Sequence, residues 1–152
     1  MNMDMEENYI KLIGGEGNNK KCVNKNFYSS MLFIVPAIYA YSIPIPSYDI
    51  VIGSLVCFIT SIINHYYKAE KSLIQNIDRV VVLSIGVYFT LQCLFTIGFT
   101  FYSNIMYILA GSAITLYVYL HDKPHLYCDY HYLIHILAIS GIMFLIKARY
   151  TE

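Results

Sequence analysis

Five apolar runs, each near the length of a membrane-spanning helix, follow one another along the chain. They cover residues 27–43, 50–67, 77–102, 105–120 and 130–146. About 20 apolar residues cross the hydrocarbon core of a bilayer, and transmembrane β-strands alternate between apolar and polar positions, which these runs do not. The pattern therefore predicts an all-α integral membrane protein with about five transmembrane helices in a compact bundle.

Prolines and polar segments divide the chain into three parts. Residues 1–26 are polar and rich in glycine and asparagine, which predicts a flexible cytosolic tail. Residues 27–147 form the predicted transmembrane helical domain, and residues 148–152 a short C-terminal tail. Pro36 lies near the middle of the first run and predicts a kink there, because proline has no amide hydrogen. Breaks between runs are expected at 44–49, 68–76, Ser103–Asn104 and 121–129.

Lysine and arginine residues are unequally distributed between the two ends of the spans. With five spans, eight of the ten basic residues lie on the side of the N-terminus, and only Lys147 and Arg149 lie on the other. The positive-inside rule then predicts a multi-pass protein with a cytosolic N-terminus and an extracytosolic C-terminus. The rule does not indicate which membrane the protein occupies.

Composition excludes several classes of function. The chain is 57% hydrophobic and 13% charged, against about a quarter charged in soluble proteins. Its basic and acidic residues cancel, so no overall field attracts nucleic acid and we expect no nucleic-acid partner. The cysteines form no CxxC pair, and we expect them to be small apolar fillers or free thiols. They are Cys22, Cys57, Cys93 and Cys128.

Five residues that can perform chemistry fall at the ends of three different spans. Ser61 and His65 lie four residues apart at the end of the second run, and His131 and His135 lie four apart at the start of the fifth. Residues four apart share one face of a helix. Asp78 opens the third run. With five spans, all three ends lie on the same side of the membrane, so the five side chains are expected to converge.

Such a group of side chains is suited to a catalytic zinc site. Three neutral imidazoles around one zinc ion leave a fourth position for water, whose pKa the metal lowers toward about 7. Asp78 would accept or orient the proton of the metal-bound water, which acts as the nucleophile. Ser61 would hold the water or polarise a substrate carbonyl. The predicted reaction is hydrolysis of an amide or ester bond in a lipid-facing pocket.

Each of these residues also has a simpler interpretation. Asp78 can cap a helix N-terminus, His65 can reach the lipid headgroups, and Ser61 can bond back to a helix carbonyl. Cys128 could be a fourth ligand, which would make the site structural. Asp129 is expected to cap the fifth helix or to neutralise a nearby base.

A second pair of histidines with the same spacing is not expected to contribute. His121 and His125 lie four residues apart, but Pro124 stands between them. Because a regular helix does not pass through that proline, the two cannot share a helical face, and they are predicted to be loop residues.

The pattern SxxxH at Ser61–His65, the aspartate Asp78 and HxxxH at His131–His135 resembles the CREST superfamily. That group contains alkaline ceramidases, progestin and adipoQ receptors, and Per1-like proteins. The resemblance, closest to the ceramidase branch, implies zinc held by the three histidines, with Ser61 and Asp78 near the metal-bound water. It implies hydrolysis of lipid amides or esters, such as ceramide. Members have seven spans and this chain has about five, so we expect two to be absent here, between the third and the last.

Two other classes of function remain open. A non-catalytic lipid-sensing or scaffold protein would keep the zinc as a structural ion. A small channel or transporter would use the histidines to carry protons, although the chain has no paired inverted repeats. In every case the membrane is a partner. For the hydrolase the other partner is a ceramide-like or other acyl lipid, and an oligomer that shares the walls of a substrate groove is possible.

Overall fold

The computed structural model describes residues 25–66, 71–121 and 123–151, and no strand occurs among them. A helical stretch at residues 25–31 precedes five helices. These are α1 (Ile34–Ser42), α2 (Tyr48–Tyr66), α3 (Lys71–Thr96), α4 (Phe101–His121) and α5 (Pro124–Thr151). Each of α2 to α5 contains a segment long and apolar enough to cross a membrane. The expected all-α membrane bundle is confirmed.

The first apolar run is divided, as Pro36 predicts. Helix stops at residue 31, residues 32–33 form a turn, and α1 begins at Ile34. Proline at position 36 cannot donate to the carbonyl of Leu32, four residues earlier. The amide of Val35 donates to that carbonyl instead, at 3.0 Å. The first apolar run therefore consists of two short helical pieces, and neither of them is among the four candidate membrane-spanning segments of the described residues.

The break between the third and fourth runs lies at residues 97–100, so the expectation of a break at Ser103–Asn104 is wrong. Gly98 has a φ of 78°, a backbone conformation that favours glycine and ends α3. Thr100 and Ser103 then exchange hydrogen bonds between side chain and backbone, at 2.7 and 3.3 Å. This reciprocal cap starts α4 at Phe101, which places Ser103 and Asn104 in its first turn.

Helices also extend into two segments expected to be loops. The predicted loop 121–129 is mostly helical, because α4 ends at His121 and α5 begins at Pro124. Proline is favoured at the first position of a helix, where its missing amide hydrogen leaves no bond unmade. His121 and His125 therefore lie on different helices, and do not share a face. Similarly, the predicted connector 68–76 is helical from Lys71.

The C-terminal helix α5 is the most enclosed of the four long helices. About 44% of its membrane-spanning window is buried, against 11% for the window in α3. It packs most extensively on α4, and α2 packs on both α1 and α3. Cys57 and Cys93 are buried free thiols in the apolar core, as expected. Residues 1–24, which include Cys22 and most of the predicted N-terminal tail, lie outside the described part of the chain. At the other end, α5 continues through Thr151, so it extends into the segment 148–152 that is predicted to be a tail.

A polar cluster joins the end of α5 to the start of α2. The Arg149 guanidinium donates to both carboxylate oxygens of Asp49, at 2.9 and 2.7 Å, and to Gln92 of α3. It also donates to the hydroxyl of Ser47, at 3.2 Å. Paired charges of this kind let ionisable side chains remain near the ends of apolar spans. Asp49 lies in the first turn of α2.

Gly53 allows α2 and α3 to approach closely. A Cβ atom at Gly53 would lie 2.7 Å from the ring of Phe89, which is buried. We expect Gly53→Leu to lower the midpoint of thermal unfolding in detergent, since overpacking a core costs about 1–3 kcal/mol. The matched control is Gly86→Leu, because a Cβ at Gly86 meets no described atom within 4 Å. Equal midpoints for both variants would show that this contact does not limit the packing of α2 on α3.

Candidate metal centre

The three histidines singled out in the sequence meet at one end of the bundle. Ring centroids are 5.6 Å apart for His65 and His131, 5.5 Å for His65 and His135, and 4.8 Å for His131 and His135. His131 and His135 are buried, and His65 is partly buried. The i, i+4 spacing aligns the two residues of α5, and the last turns of α2 bring His65 to them.

Nitrogen atoms of the three rings face a common volume. One nitrogen from each ring can be chosen so that all three lie within 4.8 Å of one another. Around a tetrahedral zinc with bonds of about 2.0–2.1 Å, two nitrogens would be roughly 3.4 Å apart. His65 Nε2 and His131 Nδ1 are buried and have no hydrogen-bond partner among the described residues. The donor set and its unpaired atoms therefore fit a divalent cation.

Beside the histidines, Ser61 and Asp78 form a second buried pair. The Ser61 hydroxyl donates to Asp78 Oδ1 at 2.7 Å, and the Asn64 amide donates to Oδ2, also at 2.7 Å. Ser61 is fully buried and Asp78 is 6% exposed. Because Ser61, Asn64 and His65 belong to consecutive turns of α2, the carboxylate is fixed to the part of the helix that carries His65.

The simpler interpretations of these residues fail for two of them. Asp78 does not cap a helix, because α3 begins seven residues earlier at Lys71. The Ser61 hydroxyl bonds to a carboxylate rather than to a helix carbonyl. His65 lies against the other two imidazoles.

Asp129 forms an ion pair with Lys25 at 3.7 Å, as expected for the neutralisation of a base. The side chain of Cys128 lies outside the described part of the structure.

Three further contacts of the site were not predicted from the sequence. Asn64 holds Asp78, and Tyr127 stacks on His131 with ring centroids 4.3 Å apart. Ser29, on the helical stretch 25–31, lies with its hydroxyl 2.8 Å from His135 Nδ1. Tyr127 precedes His131 by four residues, a spacing that could have revealed it once α5 was known to begin at Pro124. Nothing local to Ser29 indicates its partner, which is 106 residues away.

Tyr127 orients one ligand candidate. Its hydroxyl is 3.4 Å from His131 Nε2, which leaves Nδ1 as the nitrogen without a partner. Burial raises the pKa of Tyr127, and this effect outweighs the opposing influence of Arg79. Since the phenol stays protonated at neutral pH, it adds no negative charge to the site. The same Arg79 guanidinium also lies over the ring of Tyr117, with its Cζ atom 6.0 Å from the ring centroid.

No protein-family model, curated protein or solved structure matches this chain.

We expect the purified protein, stripped with a chelator, to take up one zinc ion per chain. His135→Ala is expected to weaken zinc binding by more than the roughly 10–100-fold that is typical when only an outer partner of a ligand is lost. Competition with a chromogenic chelator in detergent measures the affinity. The matched control is His121→Ala, which removes a histidine from the end of α4. Equal zinc affinity in His135→Ala and the wild type would show that His135 is not a ligand.

Proposed function

We propose that this protein is an integral membrane zinc hydrolase that cleaves amide or ester bonds of lipids, in the manner of an alkaline ceramidase. One observation carries the proposal. Three imidazoles from α2 and α5 meet beside the buried carboxylate of Asp78, and two of them, His65 and His131, each have a buried nitrogen without a partner among the described residues. A set of imidazoles that can bind a cation, next to a carboxylate held in place, is typical of sites for metal-assisted hydrolysis.

His65, His131 and His135 would hold the zinc. A zinc ion with three protein ligands and an open position lowers the pKa of bound water toward about 7 and polarises carbonyl oxygens. The two unpaired nitrogens support this assignment, because a buried polar atom without a partner is costly unless something binds it. Three neutral ligands also leave the full charge of the cation to act on water and substrate.

Asp78 is the general base and then the general acid of the proposed reaction. It accepts a proton from the attacking water, while the oxygen of that water bonds to the carbonyl carbon of the substrate. It returns that proton to the nitrogen or oxygen of the leaving group as the C–N or C–O bond breaks. Ser61 and Asn64 occupy only one position on each carboxylate oxygen, so each oxygen can still accept another hydrogen bond.

The surroundings of the site favour a lipid as the substrate. Exposed apolar side chains lie within two residues of the site residues on α2 and α3: Ile63, Ile77 and Val80 are 39%, 48% and 63% exposed. Acyl chains of a membrane lipid would meet these side chains on the way to the histidines. We place this end of the bundle at the cytosolic face, from the distribution of lysine and arginine.

The choice of substrate class rests on the resemblance to the CREST superfamily. Ser61, His65, Asp78, His131 and His135 occur in the order of that motif, with the members of each pair, Ser61–His65 and His131–His135, four residues apart. Ceramide, whose amide bond joins a fatty acid to a long-chain base, is therefore the first substrate to test. An acyl ester of similar chain length is the second.

Asp78→Asn tests the proposed proton transfer. In detergent micelles that contain ceramide, we expect the zinc-loaded variant to hydrolyse the amide about 10²–10⁴-fold more slowly than the wild type. Zinc content should be unchanged, because Asp78 is not one of the three proposed ligands. Release of free fatty acid, followed by mass spectrometry, gives the rate.

The control is Asp129→Asn, which makes the same chemical change at an exposed carboxylate and removes only a surface ion pair. It should keep the wild-type rate. If Asp78→Asn were as active as the wild type, Asp78 would not be the base. A zinc-loaded wild type that hydrolyses neither lipid would instead favour a lipid-sensing or scaffold protein with a structural zinc.

A further inference from the structure

We propose that Ser29 and Ser30 are positioning residues of the metal centre, which hold the His135 ring with its proton on Nδ1 and with Nε2 free for the cation. This inference rests on the proposed metal centre and deepens it. Neither serine belongs to the motif that predicts the site, and both lie on the helical stretch 25–31, far from α5 in sequence.

Both hydroxyls reach the same nitrogen of His135. Ser29 Oγ is 2.8 Å from Nδ1 and Ser30 Oγ is 3.4 Å from it. Ser29 is 6% exposed, Ser30 is fully buried and His135 is 5% exposed. Buried polar groups in proteins are almost always hydrogen-bonded. Because the two serines and His135 are buried, each supplies a hydrogen-bond partner that water would otherwise provide.

Counting protons gives the direction of the bond. Each serine hydroxyl has one proton, and both hydroxyls donate to the backbone carbonyl of Asn26, at 2.9 Å for Ser29 and 2.8 Å for Ser30. Such bonds to a carbonyl three or four residues earlier are common for serine in helices. The proton between Ser29 and His135 therefore comes from the imidazole. A neutral imidazole that is protonated on Nδ1 has its lone pair on Nε2.

This arrangement fixes a ligand in the way that outer-shell partners do in metalloproteins. A metal-binding histidine usually donates its other ring N–H to a nearby oxygen, which sets both its tautomer and its orientation. His131 is turned the other way, since Tyr127 faces its Nε2 and its Nδ1 is unpaired. The two histidines of α5 would thus present different nitrogens to one cation, although they share one helix face.

Two measurements test the proposal. The first is the ¹⁵N spectrum of the metal-free wild type labelled at histidine, with the His135 signals assigned by their loss in His135→Gln. We expect the Nδ1–H tautomer at His135. The second is the zinc affinity of the double variant Ser29→Ala/Ser30→Ala, which should fall about 10–100-fold. Ser29→Thr, which keeps the hydroxyl, should bind zinc as the wild type does.

The matched control is Ser54→Ala, since Ser54 is fully buried on α2 and its hydroxyl has no partner among the described residues. An Nε2–H tautomer at His135 would overturn the inference even if the double variant failed to fold. So would a folded double variant with the zinc affinity of the wild type, and in that case the proposed metal centre would still stand. A wild type that binds no zinc would overturn the metal centre and this inference together.

Discussion

Buried imidazole nitrogens without partners, on rings that meet at one end of the bundle, are the constraint on which the site depends. Within an apolar bundle, an unpaired polar atom costs free energy that no neighbouring water recovers. His65 Nε2 and His131 Nδ1 are in this position, and they belong to helices that otherwise pack mainly on different neighbours. A cation shared between them would satisfy both atoms at once. It would also tie the end of α2 to the start of α5.

The parts of the fold that depend on local pattern could be predicted from the sequence. Continuous apolar runs gave the helices, and the i, i+4 spacing placed His131 and His135 on one face of α5. Helix ends were harder, because single residues decide them. Gly98 ends α3 through a positive φ, and Pro124 begins α5 rather than merely interrupting a loop. Both residues are visible in the sequence, but the apolar pattern alone does not show their roles.

Contacts between distant residues could not be predicted in the same way. The convergence of His65 with the histidines of α5 followed from counting spans, and the structure brings them together. The bond from Ser29 to His135 depends on how the first helical stretch packs, which no spacing encodes. Asp78 shows the opposite case: as a cap it would be explained locally, but α3 begins at Lys71, and its partners are on α2.

Pro36 connects the first apolar run to this site through the backbone. Because residue 36 has no amide hydrogen, the helical bonds change to a tighter spacing before it, with Phe33 donating to Ser30 and Val35 to Leu32. The turn at residues 32–33 means that the two helical pieces of this run need not share one axis. Consequently α1 can pack along α2, while the residues before the turn direct their serines at His135. A straight helix would couple these two contacts to a single orientation.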